Sequence, residues 1–454
     1  MPKPRTVFIC QTCGYQSPKW LGRCPDCQGW GTLVEELVGD EAPLQEVRQQ
    51  WATEEPPRAI GEVEEEEGIR LPTRTEEFNR VLGGGVVMGS VVLLGGDPGI
   101  GKSTLMFQCL HDLASQGKRC LYVSAEESLR QTKLRARRLG ALADELFVVA
   151  ETSLERIIRD VEELKPRVLV VDSIQSIYTS QLGSAPGSIS QVRETSGRLT
   201  YLAKGLGTAT FLVGHVTKDG AIAGPRVMEH IVDTVLYMER STDSPYRILR
   251  AVKNRFGSTN EIGVFEMKEQ GLQEVGDPSE IFLAERPMGS SGSVVMASVE
   301  GTRPILVEIQ ALVAPTAFAV PKRMAMGVDY NRLSLLVAVL EKKVGVTLSH
   351  HDIFVNVAGG LRIEEPAVDL GVVVAVASSH LDGVIPSDMV VFGEVGLAGE
   401  VRGVGYGEMR VREATRLGFQ QCVLPHSTAK GMRSFGGMEL IKVRDLRDVW
   451  ERLF

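Results

Sequence analysis

No run of this 454-residue chain approaches the roughly 20 consecutive apolar residues needed to cross a bilayer, and its opening, MPKPRTVFICQTCG, lacks the apolar segment of a secretory signal. A soluble, cytoplasmic protein with no membrane partner is expected. Cysteine is scarce beyond position 27: Cys109, Cys120 and Cys422 stand alone in apolar surroundings, as reduced core residues do, and form no disulfide framework. Positive charge is not in excess either. The formal net charge is -8, but much of the acidity lies between Glu35 and Glu67, so the whole-chain balance says little about any one surface. No tandem repeat of solenoid length is present, and two or three ordinary domains are expected for this length.

What is present begins with residues 95–104, GGDPGIGKST, which follow an apolar run over 90–94 and precede an amphipathic helical stretch. From Gly96 to Ser103 they satisfy G-x-x-x-x-G-K-S, the P-loop pattern. The glycines let the backbone wrap around a polyphosphate, with amide groups and the next helix N-terminus aimed at negative charge. Gly96, Asp97, Pro98, Gly99, Ile100, Gly101, Lys102, Ser103 and Thr104 are expected to hold ATP. Lys102 supplies a point charge to the terminal phosphates, and Ser103 offers its hydroxyl to Mg2+. A merely structural glycine-rich turn is the bland alternative, and the flanking strand and helix count against it.

A second ATPase element is RVLVVDS over 167–173, an apolar strand ending in Asp172, which fits the magnesium shell beside Ser103. Glu126 and Glu127 follow the predicted strand at 120–124, and Glu126 is the expected catalytic carboxylate that polarises the attacking water. Helix capping or a solvated pair is the plainer reading of the two acids. His215 lies just past another strand, where a polar group could sense the γ-phosphate and pass its state into the following loop. Lys218 and Arg226, in that loop, are candidate DNA phosphate contacts.

Cys10-x-x-Cys13 and Cys24-x-x-Cys27 form a four-thiolate set with the spacing of a zinc ribbon or knuckle. Between and beside them, Lys19, Trp20, Arg23 and Trp30 offer basic and aromatic groups to nucleic acid or protein, against the alternative of a purely structural zinc module.

Composition and periodicity divide the chain into a four-Cys module at 1–34, an acidic linker at 35–70, a parallel α/β domain at 71–276, a linker at 277–292 and a further α/β domain at 293–454. In the domain at 71–276, strands are predicted at 91–94, 120–124, 146–149, 168–171 and 210–213, with helices at 103–115, 129–139, 154–164 and 189–206 between them. Strands at 234–239, 246–252 and 262–267 are expected to extend one edge in antiparallel fashion.

The P-loop, Glu126, Asp172 and His215 resemble the RecA-type ATPase core, and their combination with the four-Cys module is similar to the bacterial RadA (Sms) family. Lys253-Asn254-Arg255-Phe256-Gly257 is similar to that family's KNRFG signature. By resemblance to DnaB-type hexameric helicases, Lys253 and Arg255 are implied to reach a neighbouring subunit's nucleotide as catalytic cations. On an edge strand, cations at i and i+2 would also point the same way. The last domain resembles the proteolytic domain of Lon, with Asp369 where Lon carries its nucleophilic Ser and Glu408 where it carries Lys. Two carboxylates cannot perform Ser/Lys chemistry, which implies a proteolytically inactive relic retained for ring assembly.

The resemblance implies an ATP-dependent DNA motor that processes recombination intermediates, with ATP, Mg2+ and Zn2+ as cofactors. Implied partners are single-stranded and branched DNA, a recombinase of the RecA type, and further copies of the chain in a hexameric ring. Basic residues of the last domain, Lys322 and Arg323 or Arg402 and Arg410, are further DNA candidates. An ATP-dependent Lon-like peptidase, a nucleotide-gated DNA scaffold and a KaiC-like phosphorylating regulator are the competing readings.

Overall fold

The structure is a computed structural model and describes residues 5–10, 14–38, 59, 61, 70–215, 225–240, 245–259, 261–318, 320–432 and 436–454. They fall into two compact units, divided between Val275 and Gly276.

The N-terminal sheet has three antiparallel strands, β1 (Arg5–Cys10), β2 (Gln16–Ser17) and β3 (Leu33–Val38), in the order β2-β1-β3. Its apolar core is little more than Cys10, Cys24 and Leu33 with Phe8 and Leu21 against them. So small a core needs a metal staple.

After β4 (Arg70–Leu71), α1 (Glu76–Leu82) and β5 (Val86–Val87), the chain builds the nucleotide-binding sheet. Its elements are β6 (Val91–Gly96), α2 (Lys102–Ser115), β7 (Cys120–Ser124), α3 (Leu129–Arg138), β8 (Leu146–Ala150), α4 (Leu154–Leu164), β9 (Val168–Asp172), α5 (Ile189–Leu206) and β10 (Ala209–Val213). They continue through α6 (Pro225–Ile231), β11 (Thr234–Glu239), β12 (Tyr246–Asn254), β13 (Ile262–Lys268) and β14 (Gly271–Glu274). The nine strands lie in the order β14-β13-β12-β11-β6-β10-β9-β7-β8. Alternation divides β6 between two cores: Val92 and Leu94 join the face covered by α2, whereas Val91 and Leu93 join the face covered by α4 and α5.

One expectation needs correction. The strand at 234–239 is not an antiparallel edge: β11 runs parallel to β6, with Val235 opposite Leu93, and only β12, β13 and β14 are antiparallel. The connection from β10 passes through α6, and such a crossover returns the chain in the same direction. The P-loop strand therefore sits inside the sheet.

The second unit begins with α7 (Pro278–Leu283), followed by β15 (Ser293–Glu300), β16 (Arg303–Pro315), β17 (Arg323–Met326), α8 (Tyr330–Val344), β18 (His351–Val357) and α9 (Val368–Leu381). It ends with β19 (Met389–Val391), β20 (Glu394–Val395), β21 (Val401–Arg402), α10 (Gly407–Arg416), β22 (Gln421–Pro425), β23 (Glu439–Val443) and α11 (Leu446–Leu453). Its main sheet has the order β17-β18-β16-β15-β19-β22-β23. The segment at 277–292, expected as a linker, instead carries α7, whose Ser279 hydroxyl donates to Glu413 at 3.1 Å and accepts from the Leu306 amide at 3.0 Å. Asp277 caps this helix and Pro278 occupies its first position, so residues that punctuate a linker here start a helix.

Candidate nucleotide site and zinc ribbon

β6 delivers Gly96 to the head of the P-loop, and α2 starts at Lys102 with no side chain capping its first turn. Those free amides form the anion-binding end. Gly101 has φ 121°, and a Cβ there would lie 2.6 Å from Met267 Cε. Only glycine fits that turn.

Lys102 is 4% exposed, and its Nζ donates to the carbonyls of Gly96 at 2.7 Å and Asp97 at 2.9 Å. Burial lowers its pKa, while the negative charges of Asp172, Asp97 and Glu126 act in the opposite direction. The same ammonium stands 3.3 Å from His215 Nδ1, and His215 Nε2 stands 3.3 Å from Glu126 Oε1. An ammonium can only donate, so Nδ1 accepts and Nε2 carries the proton toward Glu126. His215 thus bridges the phosphate-binding lysine and the expected catalytic acid.

Glu126 also accepts from the hydroxyls of Ser173 and Ser176. Burial alone would raise its pKa, but these bonds and the nearby His215 outweigh it and hold the carboxyl below its ordinary value. Neither acid caps α3. Ser128 does, in a capping box with Gln131, and Glu127 is drawn aside to Arg135 at 2.5 Å. Both acids line the cavity of Lys102, His215 and Asp172, but Glu126 contacts His215 while Glu127 is paired with Arg135.

Asp172 ends β9, beside β7, and Tyr122 of β7 donates its phenol to Asp172 Oδ2 at 2.5 Å. Tyr122 was not foreseen, although a tyrosine in an apolar strand signals a polar tip in need of a buried partner. Lys102, Ser103, Glu126, Asp172 and His215 line one cavity of 430 Å³, with Arg138 at its wall. That volume falls in the ordinary range for a ligand of nucleotide size, roughly 300 to 1,000 Å³.

Lys253 and Arg255 lie elsewhere. Lys253 Nζ donates to the carbonyls of Glu229 and Val232, each at 2.7 Å, and Arg255 Nη1 pairs with Asp233 Oδ1 at 3.0 Å. Val235 faces Lys253 on one side and Leu93 on the other, which places the pair near the start of β6. Gly96 lies at the far end of that strand, roughly 10 Å on at about 3.3 Å per residue. β12 is also not an edge strand, since it pairs with both β11 and β13. The expectation that two cations project together from an edge is replaced by two cations tied to the turn after α6.

In the ribbon, the sulfurs of Cys10, Cys24 and Cys27 lie within 4.8 Å of one another, and those of Cys10 and Cys27 are 3.6 Å apart. Zn–S bonds of about 2.3 Å in a tetrahedron require sulfurs about 3.8 Å apart, so the three thiols fit zinc. Cys13 lies outside the described residues. Trp20 and Trp30 are exposed, with the Arg23 guanidinium 5.7 Å from the Trp30 ring.

Three family models match: a rubredoxin metal binding domain at 8–35, an AAA domain at 56–221, and subunit ChlI of Mg-chelatase at 332–428. Similar proteins over nearly the whole length include the DNA repair protein RadA of Halalkalibacterium halodurans, 52% identical across 99% of both chains. That of Bacillus subtilis is 53% identical across 99% of this chain and 98% of its own, and that of Listeria monocytogenes 54% across 93% and 92%. The chain belongs to the RadA family. A KaiC-like protein from Pyrococcus horikoshii shares 22% identity over 45% of this chain and 98% of its own, at a TM-score of 0.39.

This RadA-family chain is thus an α/β protein with an N-terminal zinc ribbon, a P-loop ATPase core and a C-terminal ChlI/Lon-like domain, using ATP, Mg2+ and Zn2+. In the C-terminal domain Asp369 is fully buried, forms a two-pronged ion pair with Arg332 and accepts from the Val395 amide at 3.0 Å, while Glu408 is exposed. Of the basic DNA candidates there, Arg410 is withdrawn. It is 1% exposed and pinned to Glu365 and the Ala297 carbonyl, out of reach of any nucleic acid. Arg402 pairs with Glu400, and Lys322 lies 4.1 Å from the Phe318 ring centroid. Lys218 lies outside the described residues. The backbone of Arg226 belongs to α6, and its side chain is also outside them.

Proposed function

We propose that this chain is an ATP-driven DNA motor, a DNA-dependent ATPase and branch-migration helicase that processes recombination intermediates during DNA repair. The observation that carries the reading is the chain of contacts Lys102, His215, Glu126, which leads from the phosphate-binding lysine to the start of the segment bearing Lys218 and Arg226. In the proposed cycle Lys102 leaves the Gly96 and Asp97 carbonyls for the terminal phosphates and releases His215 Nδ1. Glu126, ionised at neutral pH, orients the attacking water. Ser103 and Asp172 hold the Mg2+ ion, whose charge offsets that of the phosphate oxygens. His215 carries the change into the DNA-contacting segment of Lys218 and Arg226.

Lys253 and Arg255 sit at the opposite end of the sheet from their own P-loop, which supports their action on a neighbour's nucleotide in a homo-oligomeric, hexameric ring. The proposed parts are the zinc module at 1–34, the acidic linker at 35–70, the ATPase domain at 71–276 and a proteolytically inactive Lon-like domain at 293–454. To the last, α7 adds its contacts with Leu306 and Glu413. Single-stranded and branched DNA, a RecA-type recombinase and a cytoplasmic setting complete the reading. The buried pairing of Asp369 with Arg332 weighs against a peptidase.

The test is ATP turnover with and without single-stranded DNA, together with strand displacement and branch migration on forked substrates. DNA-stimulated turnover with strand displacement is expected. Turnover indifferent to DNA, with no displacement, excludes the motor and leaves the nucleotide-gated scaffold.

A further inference from the structure

Tyr122 is 2% exposed and its ring stacks on Phe107 with centroids 4.2 Å apart. Its phenol donates to Oδ2 of Asp172 at 2.5 Å, and Asp172 is one of the two residues proposed to hold Mg2+. A carboxylate can only accept, so the direction is Tyr122 Oη–H to Asp172 Oδ2.

This direction has one consequence for the metal. Asp172 has one oxygen bound to the phenol, and Oδ1 is left to the cavity that Asp172 lines. We propose that Tyr122 is a positioning residue that presets Asp172 as a ligand for a divalent cation and thereby sets the magnesium affinity of the nucleotide site. The proposal rests on the reading of this cavity as a Mg2+–nucleotide site.

Tyr122→Phe keeps the ring and its stack on Phe107 and removes only the oxygen. The measurement is fluorescent ATP-analogue binding at increasing Mg2+, alongside the Mg2+ dependence of turnover and direct Mn2+ binding by electron paramagnetic resonance. Loss of a partner behind the ligands of a metal site weakens metal affinity about 10- to 100-fold. The half-saturating Mg2+ and the Mn2+ dissociation constant should rise on that scale, with analogue affinity in excess EDTA unchanged. Phe107→Leu, which disturbs the stack and spares the phenol, should leave the metal dependence within about twofold of the parent, since it touches neither ligand.

A Tyr122→Phe protein whose half-saturating Mg2+ matches the parent overturns the proposal, as does a Phe107→Leu protein that shifts it equally. If the parent binds no nucleotide at any Mg2+ concentration, it is the reading of the cavity that fails.

Discussion

Arg255 is tied to Asp233 at 3.0 Å near the start of β6, while Lys102 occupies the other end of the same strand's path. No rotation of the Arg255 side chain spans that separation, so in the proposed ring it would act on a neighbouring subunit's nucleotide. Arg255→Ala should leave nucleotide binding intact and reduce turnover about 10³-fold or more, the scale of a lost arginine finger. Mixing Arg255→Ala with Lys102→Ala protein should restore part of the activity, because one mixed interface keeps both groups. A mixture as inactive as its components counts against the trans site.

Glu126→Gln should lower turnover about 10²- to 10⁴-fold with little change in ATP affinity, the usual range for losing a positioned base. Glu127→Gln should do far less, since its carboxylate is occupied by Arg135. Equal losses in single-turnover assays would reverse the assignment of the two acids.

The Glu126 carboxyl lies below its ordinary range in the folded protein, so the unfolded chain is the stronger proton binder. The stability this contributes is complete above the ordinary carboxylate range and is lost as pH falls through the lowered value. The difference in thermal midpoint between parent and Glu126→Gln should be present at neutral pH and shrink as pH falls below about 4. A difference that widens on acidification contradicts the direction of the shift.

Cys24→Ser should release the zinc and unfold the ribbon, because Cys24 is at once a proposed ligand and part of its small core. Metal content by colorimetric chelation is the readout. Unchanged zinc would exclude the thiolate site, and basal ATP turnover without DNA should survive the change.

In the C-terminal domain, Arg410→Ala strands the Glu365 carboxylate against Ser298 and the Val299 amide. Breaking a buried pair from one side costs about 3 to 5 kcal/mol. The unfolding transition of this domain should move down accordingly in calorimetry, and casein should remain intact in both proteins.

Local spacing made much of the site readable. The P-loop, Asp172 at the end of its strand, and the paired Cys-x-x-Cys turns each depend on residues close in sequence, where geometry follows from a few dihedral angles. The choice between Glu126 and Glu127 needed tertiary contacts: Ser128 takes the cap of α3, Arg135 holds Glu127, and His215 meets Glu126. The helix at 278–283 is not legible in the sequence, because Gly, Pro and Ser punctuate linkers and helix starts alike.

By itself the sequence determined a nucleotide site, a thiolate metal site and an α/β core, because those depend on short-range patterns of glycine, charge and apolar alternation. Only the tertiary structure decided that Tyr122 donates to Asp172, that Asp369 and Arg410 are consumed by Arg332 and Glu365, and that Lys253 and Arg255 are tied to Glu229, Val232 and Asp233. Strand order and burial join residues tens to more than a hundred positions apart, and a linear pattern does not encode which of them will meet.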